Sequence, residues 1–130
     1  MRILLAVLLA LGCGTVAGLQ DDALRYEPPP VYEVWWQTAQ ECSGLDHTIY
    51  GMTLEDIRWW ELPGDSFPCN TWPEQGCAGN VHVPDIYIAS AWKESNLVIT
   101  HEMLHVWIGD GGHNSPLWCE CGLWWGSECE

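Results

Sequence analysis

The chain has 130 residues, 48% of them hydrophobic, and its 18 acidic side chains face only four Lys and Arg, for a formal net charge of −14 at pH 7. This length accommodates one domain, and the charge argues against a protein that binds nucleic acid through its phosphates or docks on an anionic lipid surface. The same charge favours a mildly cationic substrate, although it also serves to keep a tryptophan-rich surface soluble.

The first segment has the features of an export signal. Residues 1–12 contain one arginine followed by an unbroken apolar run that is too short to span a bilayer. The sequence ALGC, which ends at Cys13, resembles the bacterial lipoprotein box, whose cysteine is lipidated and becomes the new N-terminus. An ordinary signal cleaved near Ala17 is the alternative. We therefore expect an exported protein, periplasmic or at the cell surface, that touches the membrane only through a lipid anchor at Cys13.

A tether is predicted between this anchor and the folded domain. Residues 13–30 are mostly small or polar and end in three prolines, Pro28–Pro30. Such a composition buries little apolar area and suits a semi-extended linker. The domain is then expected to occupy residues 31–130, a length of about 100 residues that is marginal on core burial alone.

Four segments between residues 31 and 90 predict the framework of this domain. Val31–Cys42 has aromatic and small residues at helical spacing and predicts an amphipathic helix that backs the core. Ile57–Leu62 predicts a strand, Pro63–Asn80 a long loop, and Val81–Ser90 a second strand in which Pro84 restricts the first half to a sheet edge. Because no βαβ order is visible, the prediction is an α+β fold with a small mixed sheet.

Ten tryptophans, which include three adjacent pairs, are an unusual load for a chain of this size. Most are expected to fill the core of a small domain, and an aromatic platform for a peptide or a sugar ring is the alternative. Neighbouring side chains in a strand point to opposite faces, so one of Trp59 and Trp60 is expected to face outward.

The stretch His101-Glu102-Met103-Leu104-His105 has the pattern H-E-x-x-H. Two histidines four residues apart differ by about 40° around a helix, so both can reach one metal ion. Glu102, about 100° further round than His101, is placed to act on a water molecule at the metal rather than as a ligand. The alternative is a core helix that carries two hydrogen-bonded histidines.

The flanking residues place this motif on a helix. Ser95 or Asn96 is a plausible N-cap, apolar residues follow at i, i+3 and i+4 spacing, and Gly109 ends the helix. Gly111 and Gly112 then allow the chain to turn back towards the helix.

A third metal ligand is expected after the helix. His113 follows the glycine pair, and three histidines would leave the fourth position of a zinc ion open for water. Glu120, whose backbone is flanked by two cysteines, and Asp110, which lies one residue past Gly109, are the other candidates for this ligand.

Six cysteines remain after Cys13, an even number in a chain that is predicted to be exported. Three disulfides are therefore predicted, one inside the long loop, one from the backing helix to the tail and one within the tail: Cys69–Cys77, Cys42–Cys121 and Cys119–Cys129. Only the first pair follows from its local turn residues, and the other two are one choice among several. A second metal site at the two cysteines around Glu120 is the alternative use of these thiols.

The motif and its surroundings resemble the zincin metallopeptidases, and within them the small bacterial zincin-like lipoproteins. The resemblance covers most of Val31–Leu123, and the residues that carry it are the segments ECSGL (41–45), DIYIA (85–89), THEMLH (100–105), GH (112–113) and CGL (121–123). It implies a zinc peptidase with His101 and His105 as ligands and Glu102 as the catalytic glutamate. It also implies that Ile86–Ala89 is a sheet edge along which an extended peptide substrate adds.

The chain departs from two zincin subgroups at the third ligand. Metzincins have H-E-x-x-H-x-x-G-x-x-H followed by a methionine turn, whereas His113 lies further from the motif and no methionine follows it. Gluzincins take a glutamate from a second helix, for which Glu120 is the only well-placed candidate. The third ligand is therefore inferred from this sequence alone, with His113 preferred to Glu120 and Asp110.

These patterns predict an exported zinc metallopeptidase with a minimal, disulfide-stapled zincin-like domain, expected to act as a monomer. The zinc ligands would be His101, His105 and His113. Glu102 would take a proton from the attacking water and pass it to the leaving amine, and Tyr87 and His82 are candidate donors to the oxyanion. The alternative is a non-catalytic cell-surface binding or structural module, in which zinc is a staple and the tryptophan pairs hold peptide or glycan.

Overall fold

A computed structural model describes residues 22–69, 76–124 and 129. Within these ranges the strands are β1 (Leu24–Tyr26), β2 (Arg58–Leu62), β3 (Gly79–His82) and β4 (Asp85–Ala89), and the helices are α1 (Val31–Ser43), α2 (Asn96–Ile108) and α3 (Leu117–Glu120). The predicted α+β class with a small mixed sheet is confirmed. The expected signal segment and Cys13 lie outside the described residues.

The four strands form one sheet in the order β1-β2-β4-β3. β2 and β4 run parallel, while β1 pairs antiparallel with β2 and β3 pairs antiparallel with β4. The two central strands are therefore β2 and β4, and β3 forms the edge beside α2.

The prediction of a single strand over Val81–Ser90 is wrong. The chain makes a tight turn at Val83 and Pro84, and the residues on either side form the antiparallel pair β3 and β4. Proline has no N–H to give to a strand ladder, which explains why pairing stops there. The prediction that Ile86–Ala89 is a sheet edge is also wrong, because β4 is hydrogen bonded to a neighbouring strand on each side.

The domain begins before the predicted boundary at residue 31. Residues 24–26, which composition predicts to be part of the tether, form β1 and pair with residues 59–61 of β2. Tyr26 packs against the core and its hydroxyl lies 3.0 Å from that of Tyr32 on α1. One aromatic side chain thus gives this short strand an anchor that a composition average over residues 13–30 does not show.

The core lies between the sheet and the two long helices, which pack against each other. Trp59 on β2 and Tyr32 on α1 are fully buried there with ring centroids 4.7 Å apart. Trp60 is on the opposite face of the sheet, where its Nε1 donates to Asp85 at 2.8 Å. The expectation that one member of this pair faces outward is confirmed.

All three predicted disulfides are present: Cys42–Cys121, Cys69–Cys77 and Cys119–Cys129. They indicate an oxidising, extracellular environment. In the part of the chain that the structure describes, no helix combines the length and the apolar character needed to cross a bilayer.

Candidate metal centre

Helix α2 is capped at both ends as its sequence predicts. The hydroxyl of Ser95 accepts a hydrogen bond from the amide of Val98, and Gly109 ends the helix in the left-handed conformation with φ 66°. The Gly109 amide donates to the carbonyl of His105 at 3.0 Å, and a Cβ at Gly109 would lie 2.7 Å from Ile49. Both the backbone conformation and the packing therefore require glycine at this position.

Main-chain carbonyls orient the two imidazoles on α2. Nδ1 of His101 is hydrogen bonded to the carbonyl of Leu123, and Nδ1 of His105 to the carbonyl of Asp110. A carbonyl oxygen only accepts, so each Nδ1 carries the proton and each Nε2 keeps its lone pair. This is the arrangement by which proteins fix the tautomer and the ring plane of metal-binding histidines.

The loop after α2 brings His113 to the other two rings. Nε2 of His113 lies 2.9 Å from Nε2 of His101, and the ligand atoms of His101, His105 and His113 all lie within 4.8 Å of one another. Nitrogen ligands of one tetrahedral zinc ion lie about 3.3 Å apart, given bonds of about 2.0–2.1 Å. The three side chains could therefore hold a metal ion, and no other group of His, Cys, Asp or Glu in the described ranges has this geometry.

The two alternative third ligands do not join this group. Glu120 is exposed on α3. The carboxylate of Asp110 is occupied by four donors: the amides of Gly112, Asn114 and Ser115 and Nε1 of Trp118. Partial burial raises the pKa of Asp110, but these four hydrogen bonds outweigh it and hold the pKa below its usual value.

Trp118 forms a floor beneath the three histidines. Its ring centroid lies 4.4 Å from that of His105, 4.6 Å from that of His101 and 4.8 Å from that of His113, and its side chain is fully buried. Trp124 stacks on His113 at 4.0 Å. The sequence does not predict this role of Trp118, because its tail segment has no periodicity that indicates which ring faces the site.

Burial keeps the two helix imidazoles neutral in the metal-free protein. Burial lowers the pKa of His101 to about 3 and that of His105 to about 4, although the hydrogen bonds to the carbonyls act in the opposite direction. A metal ion binds the neutral form of imidazole, so these rings need not lose a proton to bind one near neutral pH.

Glu102 lies between α2 and the edge strand β3. Its side chain is 5% exposed, and a Cβ at Gly79 would lie only 2.6 Å from both Cγ and Cδ of Glu102. Burial raises the pKa of Glu102 to about 8 in the metal-free protein. The glycine on β3 is thus what makes room for the carboxylate, and sequence reasoning missed it because the two residues are distant along the chain.

One cavity of about 840 Å³ contains both the histidine group and Glu102. Helix α2 and the loop after it form one side, residues 76–83 form the other, and Tyr50 contributes at the border. The ring of His82 lies edge-on to that of Tyr87, with centroids 6.4 Å apart, and His82 lines this cavity. Tyr87 does not: it stacks on Trp60 on the outer face of the sheet, so its predicted role is wrong.

Comparison of the chain with protein-family models, with curated proteins and with solved structures finds no match.

Proposed function

We propose that the protein is an exported zinc metallopeptidase with a zincin-like active site. The observation that carries the proposal is the convergence of three imidazoles beside a buried carboxylate in a single cavity. A structural zinc site has four protein ligands, whereas a catalytic one has three and an open position. Three histidines without a fourth Cys, Asp or Glu in the described ranges fit the second type.

Zinc is the metal that this donor set favours. Its ligands would be His101, His105 and His113, because a set of three imidazoles is a common catalytic zinc site. When bound, zinc lowers the pKa of a water molecule towards 7 and polarises a carbonyl group. The chain's part in that chemistry is to hold three nitrogens in place over the rigid Trp118 ring.

Glu102 is the proposed general base. It lies in the same cavity as the histidines and, at the residue after His101, its carboxylate is directed towards β3 rather than into the ligand group. As water attacks the scissile carbonyl carbon, a carboxylate oxygen of Glu102 accepts the water's proton. The C–N bond then breaks and Glu102 returns that proton to the leaving nitrogen.

The edge strand β3 is the proposed docking site for the peptide, in place of Ile86–Ala89. Within the described residues β3 has one strand neighbour, β4, and residues 79–82 line the cavity along their length. An extended peptide can add to such an edge through main-chain hydrogen bonds. In that position its scissile bond would pass between Gly79 and the histidine group.

The second candidate is a binding module with a structural metal. It is favoured by the outward-facing pair Trp60 and Tyr87, whose rings are nearly parallel with an interplanar angle of 17°. Such a pair can stack on a flat ligand such as a sugar ring. This candidate predicts that the metal is retained and that no carboxylate in the cavity supports hydrolysis.

The disulfides support a location outside the cytoplasm, and a lipid anchor at Cys13 remains part of the proposal. A Cys13→Ser change is expected to move the protein from the detergent phase to the aqueous phase on Triton X-114 partitioning. Unchanged partitioning would contradict lipidation.

The change Glu102→Gln tests the proposal. Because an amide does not accept the proton, hydrolysis of a peptide library should fall roughly 10²- to 10⁴-fold while the metal content stays at one zinc per chain. Elemental analysis and product mass spectrometry measure the two quantities on the same sample. Glu120→Gln, on the exposed surface of α3, is the matched control and should change neither.

Three results would contradict this proposal in different ways. A parental protein without stoichiometric transition metal removes the metal centre altogether. A zinc-loaded parental protein that cleaves nothing favours the binding module instead. Cleavage that is equalled by Glu102→Gln shows that Glu102 is not the base.

A further inference from the structure

We propose that Asp110 is the positioning residue of the metal centre, which fixes the third ligand, His113, through its carboxylate. The inference rests on the metal binding in the proposed function and is independent of hydrolysis. Its basis is that one residue makes hydrogen bonds to both segments that surround the ligand group.

The main chain of Asp110 acts on a ligand from α2. Its carbonyl accepts the Nδ1 proton of His105, directly after the helix ends at Gly109. This contact belongs to the backbone, so a change of the Asp110 side chain leaves it in place.

The side chain of Asp110 acts on the loop that carries His113. Its Oδ1 accepts from the amide of Gly112 at 3.0 Å, and its Oδ2 accepts from the amides of Asn114 and Ser115 at 3.1 and 3.2 Å. These three amides belong to the residue before His113 and to the two residues after it. The carboxylate therefore bridges the backbone on both sides of His113 and fixes the segment that carries this metal ligand.

This loop needs such a constraint because of its sequence. Gly111 and Gly112 lose more conformational freedom on ordering than any other residues, and Gly111 has no atom within 4 Å of where a Cβ would be. Hydrogen bonds to an ionised carboxylate are roughly twice as strong as neutral ones. Three such bonds, all accepted by the carboxylate of Asp110, hold a loop whose two glycines favour disorder.

The same carboxylate also fixes the floor of the site. Nε1 of Trp118 donates to Oδ2 of Asp110 at 3.0 Å, and the Trp118 ring contacts all three imidazoles. Asp110 thus fixes the position of the Trp118 ring and that of His113 together, whereas His101 is oriented separately by the carbonyl of Leu123.

A double-mutant cycle tests this inference on the full domain. Zinc dissociation constants are measured by chelator competition for the parental protein, Asp110→Ala, His113→Ala and the double variant. Asp110→Ala is expected to weaken zinc binding about 10- to 100-fold. The double variant is expected to lose less affinity than the sum of the two single losses, because a loop without its ligand gains nothing from being held, while the contact of the carboxylate with Trp118 is lost in either background. Glu120→Ala, a change of an exposed carboxylate in the same tail, is the control and should bind as the parent does.

The absorption spectrum of the Co²⁺-loaded proteins distinguishes positioning from general stabilisation. At saturating Co²⁺, Asp110→Ala is expected to show the d–d spectrum of His113→Ala. A residue that only stabilises the fold would leave the parental spectrum intact. If Asp110→Ala does not fold, Asp110→Asn retains one acceptor oxygen and is expected to show a smaller change in the same direction.

The results that would overturn the inference are specific to it. Parental zinc affinity in Asp110→Ala, strictly additive losses in the double variant, or a parental Co²⁺ spectrum each show that Asp110 does not act through His113. Failure of the parental protein to bind zinc would instead refute the proposed function, so the two failures are distinguishable.

Discussion

Gly79 and Glu102 meet at the point where β3 passes α2. The contact allows no side chain on the strand, since any Cβ at Gly79 would overlap the Glu102 carboxylate. The position of the proposed base therefore depends on a residue that has no functional group of its own.

Gly79→Ala is expected to abolish hydrolysis while the protein keeps its metal. The added methyl group displaces the carboxylate of Glu102, because the three atoms nearest to it all belong to that side chain. Gly111→Ala is the matched control, because Gly111 lines the same cavity and a Cβ there meets nothing within 4 Å. Activity and zinc content are measured for the two variants. Equal activity in both would contradict the position proposed for the Glu102 carboxylate.

At the residue scale the sequence predicts what local spacing controls. His101, Glu102 and His105 follow from helical geometry, and the glycine turn indicates that His113 can come back to them. The roles of Gly79, Asp110 and Trp118 are set by contacts across the fold, which a single sequence does not display. Asp110 is a candidate ligand from sequence, because a carboxylate near a metal motif has the same pattern whether it binds the ion or three backbone amides.

Among the connections between elements, Cys42–Cys121 has the largest consequence for the site. It joins α1 to the tail across a sequence separation of 79 residues, two residues before Leu123, whose carbonyl holds His101. The tail's position under the imidazoles thus depends on a covalent link to the opposite helix.

Replacing both cysteines by serine, Cys42→Ser with Cys121→Ser, is expected to lower the free energy of unfolding by about 4–5 kcal/mol on the chain-entropy model. It should also weaken zinc binding, because His101 loses its fixed acceptor. The control is Cys69→Ser with Cys77→Ser, which removes a disulfide that spans a separation of only 8 residues. That control should cost about 2–3 kcal/mol and leave zinc affinity unchanged. Urea denaturation and chelator competition measure the two effects, and equal zinc affinities in both variants would refute the coupling.

The sequence predicts α1, α2 and β2 closely but not β1, α3 or the hairpin of β3 and β4. Over Val81–Ser90 the alternation of side chains continues through Pro84, so a single strand and a hairpin have nearly the same pattern. The parallel pairing of β2 with β4 decides which strand becomes the edge, and that pairing is a long-range property. The error moved the expected peptide site by one strand, from β4 to β3.

The proposed peptide site on β3 makes a prediction about the substrate's backbone. In an antiparallel ladder only alternate residues exchange both hydrogen bonds with the neighbouring strand. N-methylation of successive amides in a cleaved peptide should therefore raise KM roughly 2- to 10-fold at every second position and leave it unchanged between them. A uniform response along the peptide would argue against strand addition.

For the molecule as a whole, three buried groups of the site make the stability of the metal-free protein depend on pH in two opposite ways. Between about pH 4 and 6.5 the unfolded chain binds protons at His101 and His105 that the folded chain does not, so stability rises with pH. Between about pH 4.5 and 8 the folded chain keeps a proton on Glu102 that the unfolded chain has lost, so stability falls with pH. Two histidines outweigh one glutamate below pH 6.5, and above it only the glutamate acts.

The contribution of these groups is thus expected to peak near pH 6.5 in the presence of EDTA. Glu102→Gln should keep the loss of stability on the acid side and remove the decline between about pH 6.5 and 8. Urea unfolding at acidic, near-neutral and mildly alkaline pH, with the parental protein in parallel, measures both limbs. If the free energy of unfolding declines equally above pH 6.5 in Glu102→Gln, the decline is caused by other groups.

The bond between Leu123 and His101 also sets an order of events in the life of the chain. Disulfides form only after a protein leaves a reducing compartment. A newly made chain therefore lacks the Cys42–Cys121 link, and with it the fixed acceptor for His101, until it has been exported. Which metal ion the protein carries would then be decided by the supply outside the cytoplasm, and protein recovered in the reduced form should contain little of any.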